Sequence, residues 1–497
     1  MRNLHFVLFL TLLLLPSVPF AADSKTAREV RTYLPFTFPV EPARIKTVPD
    51  TTISNALATS LVEWDDQKEI TKGVAESWKM VSPKLYRFTL NRNARWSDGS
   101  PITATQVKQS LDRSIKINVN SLQSIVQLVE SIEIHSDREL DFKLKILAQE
   151  TELPEKLARA QFGIVKVTTN EQIDLSVGTG PYVLLPTSSR AELVLIRNPE
   201  WLLKERETSI PNQVTIRRPP KDLDSHAVLI SDPWPNLIEA LSIASSTVTK
   251  KYNTEKFEIW KSPLTHFLSI QLGKETANTE GQSLIRFLRS NLILEEVANG
   301  LSGYSIATQV FPHGYPLFSH EFSCSNQMKE PLPRKFQYKP LNILISPTRI
   351  HSQLKENLQR FITRVTGNKP NFISVPLEEV YERMSRGGFD LYAGTSGIAD
   401  PSVEQTISSY LEGKIPLVFS MGNTFLQRLD SARKEKNDTK KNNEMRSILR
   451  DAICDGHVLP LFHAATIAIG RPYLDLQFVP SSDEAITFSK IRFREVD

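Results

Sequence analysis

The fold of this chain is decided by residues 86–90, YRFTL, and residues 94–104, ARWSDGSPITA. In the first stretch large apolar and polar side chains alternate, which predicts a half-buried strand. In the second, Asp98 and Gly99 supply a tight turn, because both residues tolerate left-handed backbone angles. Thr103 is then placed to cap a helix with apolar positions at Val107 and Leu111. The local prediction is a strand, a turn and a capped helix in an α/β unit.

The amino end, residues 1–22, has the features of a secretory signal. Arg2 gives a basic start, an apolar run follows at residues 6–15, and the small residues Ala21 and Ala22 end the segment. The apolar run is too short to cross a bilayer, so we expect a cleaved signal rather than a membrane span. No cysteine lies near it to carry a lipid anchor. The sequence therefore predicts a periplasmic protein, secreted by its signal peptide and not lipid-anchored.

Charge and length exclude some classes of partner and architecture. The chain has 60 Lys plus Arg against 56 Asp plus Glu, a net charge of +4. This near balance gives no electrostatic case for nucleic acid or membrane partners. A mature chain of about 475 residues is too long for one hydrophobic core and predicts two or three domains. Cys324 and Cys454 are its two cysteines, and the sequence leaves open whether they form a disulfide or remain two buried thiols.

Further motifs lie on either side of the two stretches: AESW at residues 75–78, GTGPY at 178–182 and RNPEW at 197–201. Together they resemble the signature of the family 5 extracellular solute-binding proteins, the receptor subunits of peptide, nickel and oligosaccharide importers. The resemblance implies an α/β fold, a two-lobe periplasmic binding protein of class II type with an additional β-rich subdomain inserted in the first lobe. The glycines and the proline of GTGPY are expected to hold the backbone where the chain passes between lobes.

The resemblance also divides the chain into units. They are the signal peptide at residues 1–22, lobe I at 23–53, 176–263 and 475–497, the inserted β-rich subdomain at 54–175, and lobe II at 264–474. Alternating patterns at residues 132–134 and 140–144 predict paired strands in the inserted subdomain.

Strand and helix patterns alternate through the predicted lobe II. Strands are predicted at residues 265–270, 341–345, 372–375, 389–393 and 458–462, and helices at 283–300, 354–365 and 377–386. This order predicts a mainly parallel sheet wrapped by helices. The charged run at residues 433–441 is interpreted as a solvated helix face.

The resemblance implies a hinged clamp that captures an oligopeptide between its lobes and delivers it to an ABC permease in the inner membrane. It implies no cofactor and no enzymatic step, and we expect the chain to act as a monomer. The wall of the cleft is assigned to residues 389–401. The ligand-binding candidates are Thr395, Ser396, Gly397, Asp400, Arg286, Tyr304 and Trp234.

These candidates differ in the contact that each is expected to make. In peptide-binding members of the family, an Asp at the position of Gly397 pairs with the ammonium group of the ligand. Glycine removes a charge-assisted contact of about 1.5 to 3 kcal/mol, so we expect no conventional anchor for a free peptide N-terminus. Asp400 either takes over this contact or caps a helix that starts near Ser402. Thr395 and Ser396 offer hydroxyl groups at the end of a strand, and the aromatic candidates offer stacking surfaces.

The sequence leaves other functions open. A receptor for a non-peptide solute and a degenerate binding protein that transports nothing both fit the same fold. A serine acyl-enzyme is the alternative from another class, because Ser431 and Lys434 form a Ser-x-x-Lys pattern. It is disfavoured because the chain lacks the Lys-Thr-Gly motif of such enzymes. A structural metal is also disfavoured, since His457 and His463 do not have the spacing of metal ligands.

Overall fold

The structure, a computed structural model, describes most of the chain in separate segments. They are residues 29–34, 36–45, 48–65, 69–117, 123–146, 152–168, 171–202, 210–218, 237–240, 244–245, 258–302, 304–311, 324, 330–347, 350, 352–397, 407, 417–435, 437–470, 474–475 and 487–493. The predicted signal peptide, Trp234 and Asp400 lie outside the described residues.

Strands and helices of the described segments follow in chain order. The strands are β1 (Glu29–Tyr33), β2 (Val62–Trp64), β3 (Ile70–Lys72), β4 (Ala75–Ser82), β5 (Leu85–Leu90), β6 (Val129–Ser136), β7 (Glu139–Leu144), β8 (Val165–Val167), β9 (Ile173–Gly178), β10 (Tyr182–Leu184), β11 (Glu192–Arg197), β12 (Gln213–Arg217), β13 (Leu237–Ala240), β14 (Ala244–Ser245), β15 (Glu258–Leu272), β16 (Leu301–Ser302), β17 (Tyr304–Ile306), β18 (Asn342–Ile345), β19 (Asn371–Ser374), β20 (Leu391–Gly397), β21 (Val458–Gly470), β22 (Leu474–Asp475) and β23 (Arg492–Phe493). The helices are α1 (Val48–Leu57), α2 (Ala104–Ile117), α3 (Gln123–Leu128), α4 (Glu152–Leu157), α5 (Thr279–Ser290), α6 (Leu294–Ala298), α7 (Ser352–Thr366), α8 (Leu377–Arg386), α9 (Leu417–Lys434) and α10 (Asp438–Cys454).

Eleven of the described strands form one large sheet, in the order β10-β11-β12-β1-β13-β21-β15-β20-β18-β19, with β17 also paired to β21. Strand β1 is parallel to β12 and β13, and β18 is parallel to β19 and β20. The remaining pairs are antiparallel. The prediction of a mainly parallel sheet is therefore right for β18, β19 and β20 and wrong for the sheet as a whole. The difference arises because β15 and β21 run antiparallel through its centre.

The long strands β15 and β21 connect the two parallel sets of the sheet. The part of β15 from Glu258 to Lys261 pairs with the end of β21, which also pairs with β13. The part from His266 to Leu272 pairs with β20. Between Lys261 and His266 the register of β15 on β21 shifts twice. Because β-bulges bend a strand, these strands are bent where they pass from one set to the other.

Separate hydrophobic cores support the parts of the chain. One core packs the four-stranded sheet β4-β5-β7-β6 against α2 and extends from Leu61 to Ile164. A second joins β1, α1, β11 and β12 with Leu474 near the end of the chain. The second of these cores includes Leu57, so the change from one to the other falls between Leu57 and Leu61. The predicted domain limits remain our proposal.

Helices cover both faces of the sheet formed by β15, β18, β20 and β21. On one face, Leu268 and Ile270 pack with residues of α5, α6 and α7. On the opposite face, Phe267 packs with residues of α9 and α10, and Tyr392 packs with residues of α8. This arrangement follows from the alternation of side chains along a strand. It confirms the prediction of a sheet wrapped by helices.

The strand, turn and helix predicted from residues 86–104 are confirmed by β5 and α2. Gly99 has a φ of +82°, and the amide of Ser100 donates to Asp98 Oδ1 at 2.9 Å. At the start of α2, the Gln106 amide donates to Thr103 Oγ1 at 3.4 Å, and the Thr103 amide donates to Gln106 Oε1 at 3.1 Å. This reciprocal pair is a capping box with Gln in place of Glu.

The GTGPY motif lies against the carboxyl end of α1, where the chain enters and leaves the inserted sheet. Thr179 is buried, and its Oγ1 accepts the amide of Thr59 at 2.9 Å and donates to the carbonyl of Ile164 at 2.8 Å. A Cβ at Gly180 would lie 2.5 Å from both the nitrogen of Ala58 and the carbonyl carbon of Leu57. The segment that enters the four-stranded sheet and the segment that leaves it are therefore held together by direct backbone contact, which glycine alone permits.

Two predicted elements of lobe II differ from the structure. The helix predicted at residues 283–300 is two helices, α5 and α6, although Leu284 and Leu288 are buried as the pattern predicts. The side chain of Asn291 donates to the carbonyl of Phe287 at 2.8 Å, and such side-chain bonds compete with a continuing helix. The charged run at 433–441 crosses the junction of α9 and α10 instead of lying on one helix, because Asn437 caps α10 by accepting the amide of Lys440 at 3.0 Å.

Cys324 and Cys454 form a disulfide, with an S–S distance of 2.06 Å and a Cα–Cα distance of 5.4 Å. The bond joins the segment after β17 to the last residue of α10. This settles the alternative that the sequence leaves open, and the interpretation of two free thiols is wrong.

Candidate functional site

The large sheet contains two sets of parallel strands: the first set is β1, β12 and β13, and the second set is β18, β19 and β20. The carboxyl ends of the two sets approach the bent part of β15 from opposite sides. In the first set, Ala240 at the end of β13 pairs with Ile467, which pairs with Lys261. In the second set, Gly397 at the end of β20 pairs with His266. Ligands of open α/β sheets bind outside the carboxyl ends of the strands. The space between these two strand ends is therefore the candidate cleft.

Two rows of residues cross the sheet on the second-set side of this cleft. The outer row is Tyr304, Ala464, His266 and Gly397, and the inner row is Ile306, Phe462, Leu268 and Thr395. Neighbouring strands lie about 4.8 Å apart, so Tyr304 and Gly397 mark the ends of a row about 14 Å long. Three of the predicted site residues, Tyr304, Thr395 and Gly397, are thus brought to one end of the sheet.

Beside the cleft, one edge of β20 has no partner among the described strands. On one side β20 pairs with β15 from Leu391 to Gly397. On the other side it pairs with β18 at Leu391 and Tyr392 alone, and no described strand continues that pairing toward Gly397. Backbone groups of alternate residues from Ala393 to Gly397 face this edge, because successive residues of a strand direct their N–H and C=O groups to opposite sides. The predicted contacts Thr395, Ser396 and Gly397 therefore lie on a strand whose outer edge can bond a ligand.

Gly394 within the same edge accommodates a tyrosine ring. A Cβ at Gly394 would lie 2.1 Å from the hydroxyl oxygen of Tyr392 and 2.1 Å from its ring carbon Cζ. Tyr392 is buried. The ring therefore lies over the backbone of the strand at a position where any other residue would collide with it.

Tyr304 presents an aromatic ring at the opposite end of the row. Its ring packs edge-to-face on Phe462, with centroids 4.9 Å apart and an interplanar angle of 63°. Tyr304 is half-buried, whereas Phe462 is fully buried in the core. Such a packed but partly open ring is a stacking surface held in one orientation.

Arg286, another predicted site residue, lies at the far end of β21 from this row. Its Nη1 donates to the carbonyl of Asp455 at 2.8 Å, and its Nε donates to Glu330 Oε1 at 2.5 Å. Val458 at the start of β21 pairs with Gln271, five residues along β15 from His266. At about 3.3 Å per residue this is roughly 16 Å from the outer row. The structure does not bring Arg286 together with the other candidates, and its contacts are structural.

Arg289, one turn along the same helix, supports this structural role. It donates to the carbonyls of Ile453 and Cys454, the last residues of α10. Burial lowers the pKa of Arg289, with the nearby charge of Arg286 adding to the effect. Cations at a helix C-terminus satisfy carbonyl groups that have no partner within the helix. The two arginines therefore hold the end of α10 beside the disulfide.

The first set of strands places further residues at the cleft, which the sequence analysis missed. Tyr33 and Arg217 end the parallel strands β1 and β12 and are neighbours in the register. Arg217 Nε donates to Glu192 Oε2 at 2.7 Å. The next residue, Arg218, has its guanidinium carbon 4.8 Å from the centroid of the Phe36 ring. These residues belong to no motif. They could have been predicted from the sequence as the residues at the carboxyl ends of the parallel strands.

The alternative chemistries receive no support from the described residues. Ser431 is exposed on α9, and its hydroxyl donates to the carbonyl of Gln427 at 2.9 Å. His457 immediately precedes β21 and His463 lies within it; both are buried, and burial lowers the pKa of His457. Within the described segments, no group of three His, Cys, Asp or Glu residues is arranged to hold a metal ion.

Among the described residues, no helix has both the length and the apolar character needed to cross a membrane.

The middle of the chain matches a known protein family. Residues 69–228 match the family model described as bacterial extracellular solute-binding proteins, family 5, middle. These residues are similar to the middle part of the family 5 solute-binding proteins. The prediction of this family from the AESW, ARWSDGSPITA and GTGPY motifs is confirmed.

Curated relatives match over short segments. The chain is 38% identical over 82 residues to the periplasmic oligopeptide-binding protein OppA of Escherichia coli, covering 16% of this chain and 15% of the relative. It is 26% identical over 188 residues to the periplasmic murein peptide-binding protein MppA of Escherichia coli, covering 33% of this chain and 34% of the relative. These matches therefore span at most about a third of the relatives' length.

The fold is shared over a much longer part of the chain. The structure of a dipeptide binding protein from Pseudoalteromonas sp. SM9913, in complex with Met-Leu, matches with a TM-score of 0.78 and 15% identity. The match covers 94% of this chain and 100% of that protein. The chain therefore has the α/β fold of a two-lobe periplasmic binding protein, as predicted.

Proposed function

We propose that this protein is a periplasmic receptor that captures oligopeptides in the cleft between two lobes and delivers them to an ABC permease in the inner membrane. The observation that carries the proposal is the edge of β20 from Ala393 to Gly397, which no strand in the described segments pairs with and which lies beside the end of the outer row. A strand edge binds a ligand through main-chain hydrogen bonds, which every peptide offers whatever its sequence.

The composition of the row fits such a ligand. Backbone groups lie at one end, at Gly397, and the aromatic ring of Tyr304 lies at the other, with the hydroxyl of Thr395 one row further in. Pockets of this kind combine apolar surface with a few placed polar groups. The proteins that match in sequence or fold carry names of oligopeptide-, dipeptide- and murein peptide-binding proteins, which supports the same ligand class.

The bent strands β15 and β21 provide the hinge of the proposed clamp. The two register shifts between Lys261 and His266 lie between the first and second sets of strands. Hinge closure needs a few positions that absorb backbone change while the packed units on both sides stay rigid. The mature protein is proposed to act as a monomer, without a cofactor and without making or breaking bonds.

Mass spectrometry of small molecules released on denaturing the protein, purified from its native periplasm, tests the ligand class. We expect the released molecules to be peptides of mixed sequence. We also expect solution scattering to show that the ligand-free protein becomes more compact when peptides are added back. A single non-peptide species would overturn the peptide assignment and name another solute. An empty protein that shows no compaction with a saturating peptide mixture would favour a binding protein that transports nothing.

A further inference from the structure

His463 is a buried histidine in β21 whose position relates it to the cleft. It is 2% exposed and pairs in register with Ser305, the residue that follows Tyr304 in β17. Its Nε2 lies 3.0 Å from the carbonyl oxygen of Val310. Because a carbonyl oxygen can only accept, Nε2 carries the proton and donates it. The ring thus ties the segment that follows β17 to the strand on which β17 lies.

The strand that carries Tyr304 is short and lies at an edge of the described sheet. β17 has three residues and pairs with β21, and no other described strand pairs with it. The amide of Ala307 donates to the carbonyl of Leu461 at 3.1 Å. Short edge strands open locally at low free energy unless side chains hold them. The bond from His463 to Val310 is a side-chain contact that continues this attachment beyond the strand.

The hydrogen bond from His463 ends at a residue that is itself packed in a hydrophobic core. Val310 and Phe311 are buried together with Phe267 in the core that includes α9 and α10. The His463 ring lies with its centroid 5.9 Å from that of Phe267. The His463 side chain therefore lies on the face of the sheet opposite to Tyr304, whose ring packs on Phe462. A ligand that contacts Tyr304 does not reach His463.

We propose that His463 is a positioning residue for ligand capture, which holds β17 on β21 through Val310 and so fixes the Tyr304 ring at the cleft. The inference rests on the proposed function, because it gives Tyr304 a contact with the ligand. It is testable both with and without a ligand.

Hydrogen exchange measured by mass spectrometry tests the role of the His463–Val310 bond without any ligand. His463→Phe keeps an aromatic ring but removes the donor, and His463→Gln places an amide donor near the position of Nε2. We expect faster exchange of residues 304–311 in His463→Phe and near-normal exchange in His463→Gln. His457→Phe is the matched control, because that buried histidine packs on Phe425 at the other end of the strand. Unchanged exchange in a folded His463→Phe variant would contradict the proposed role of the His463–Val310 bond. If the His463→Phe variant does not fold, His463→Leu is measured in its place.

Calorimetric titration with the tetrapeptide Ala-Ala-Ala-Ala, which is long enough to span the outer row, tests the positioning role. We expect His463→Phe to raise Kd about fivefold and His463→Gln to restore most of the affinity. The double variant with Tyr304→Ala should bind no more weakly than Tyr304→Ala alone, because residues that act as one unit are not additive. Additive losses, or an unchanged Kd in His463→Phe, would overturn the inference. Absence of binding by the unmodified protein would instead count against the proposed peptide ligand, while the exchange result still decides the role of the His463–Val310 bond.

Discussion

Tyr304 and Gly397 lie in the same row of the central sheet, with Ala464 and His266 between them. The row is about 14 Å long, and an extended peptide advances about 3.3 Å per residue. About four residues are therefore needed to reach from the backbone of β20 to the tyrosine ring. We expect the tetrapeptide Ala-Ala-Ala-Ala to bind more tightly than Ala-Ala, as calorimetry with both peptides would show. Equal affinities would contradict a ligand that spans the row.

Replacing Tyr304 tests the other end of the row. Tyr304→Ala removes the ring that packs on Phe462, and we expect a three- to tenfold weaker affinity for a tetrapeptide, about the contribution of one aromatic contact. The affinity for a dipeptide should change less. Tyr338→Ala is the matched control, because Tyr338 is 89% exposed and lies outside the row. A similar effect of both variants would show that the loss is not specific to the cleft.

Gly180→Ala tests the contact that closes the inserted subdomain on α1. The added Cβ would meet the backbone of Ala58 and Leu57 at 2.5 Å, and backbone cannot move aside as a side chain can. We expect a loss of unfolding free energy of about 2 kcal/mol or more, measured by urea denaturation. Gly367→Asn is the control, because its φ of +76° suits asparagine and nothing lies within 4 Å of its Cβ position. Equal stability of Gly180→Ala and the unmodified protein would contradict the close approach.

The sequence predicts local structure well where periodicity and caps act over a few residues. The helix α8 begins and ends at the predicted residues, and α7 ends before Gly367, whose φ is positive. It predicts poorly what depends on pairing between distant segments. The strand predicted at 265–270 extends over 258–272, because the added residues are stabilised by β21 and not by their own pattern.

The site shows the same division. In the sequence, Thr395 and Tyr304 are separate candidates with no visible relation to each other. The register of β15, β17, β20 and β21 shows that they share one end of the sheet. Arg286, which the resemblance also places at the cleft, lies elsewhere, since a resemblance gives a position along the chain and no position in space. Sheet register is set by tertiary packing, which is why it is not read from one strand alone.

The disulfide between Cys324 and Cys454 is expected to stabilise the folded protein. It closes a loop with a sequence separation of 130 residues, for which the chain-entropy model gives about 4 to 5 kcal/mol. Cys324→Ser with Cys454→Ser should lower the unfolding free energy by up to that amount in urea denaturation. Adding a reductant should bring the unmodified protein to the stability of the double variant and leave the variant unchanged. A double variant as stable as the oxidised protein would show that the bond adds no stability.

The turn of the ARWSDGSPITA motif should make part of the stability depend on pH. Lys166 donates to Asp98 Oδ2 at 2.6 Å, and this bond, with those from Ser100, lowers the pKa of Asp98 to about 2 from 3.8. A carboxylate with a lowered pKa adds stability that is complete above pH 4 and is lost as the pH falls toward 2. The contribution is modest, because both side chains are about one-third exposed and salt screens the pair. We expect Asp98→Asn and Lys166→Met to lower the Tm at pH 5 and to flatten its decline between pH 4 and pH 2.5, as measured by calorimetry at low salt. If both variants lost Tm in parallel with the unmodified protein over that range, the pH dependence would have to come from other carboxylates.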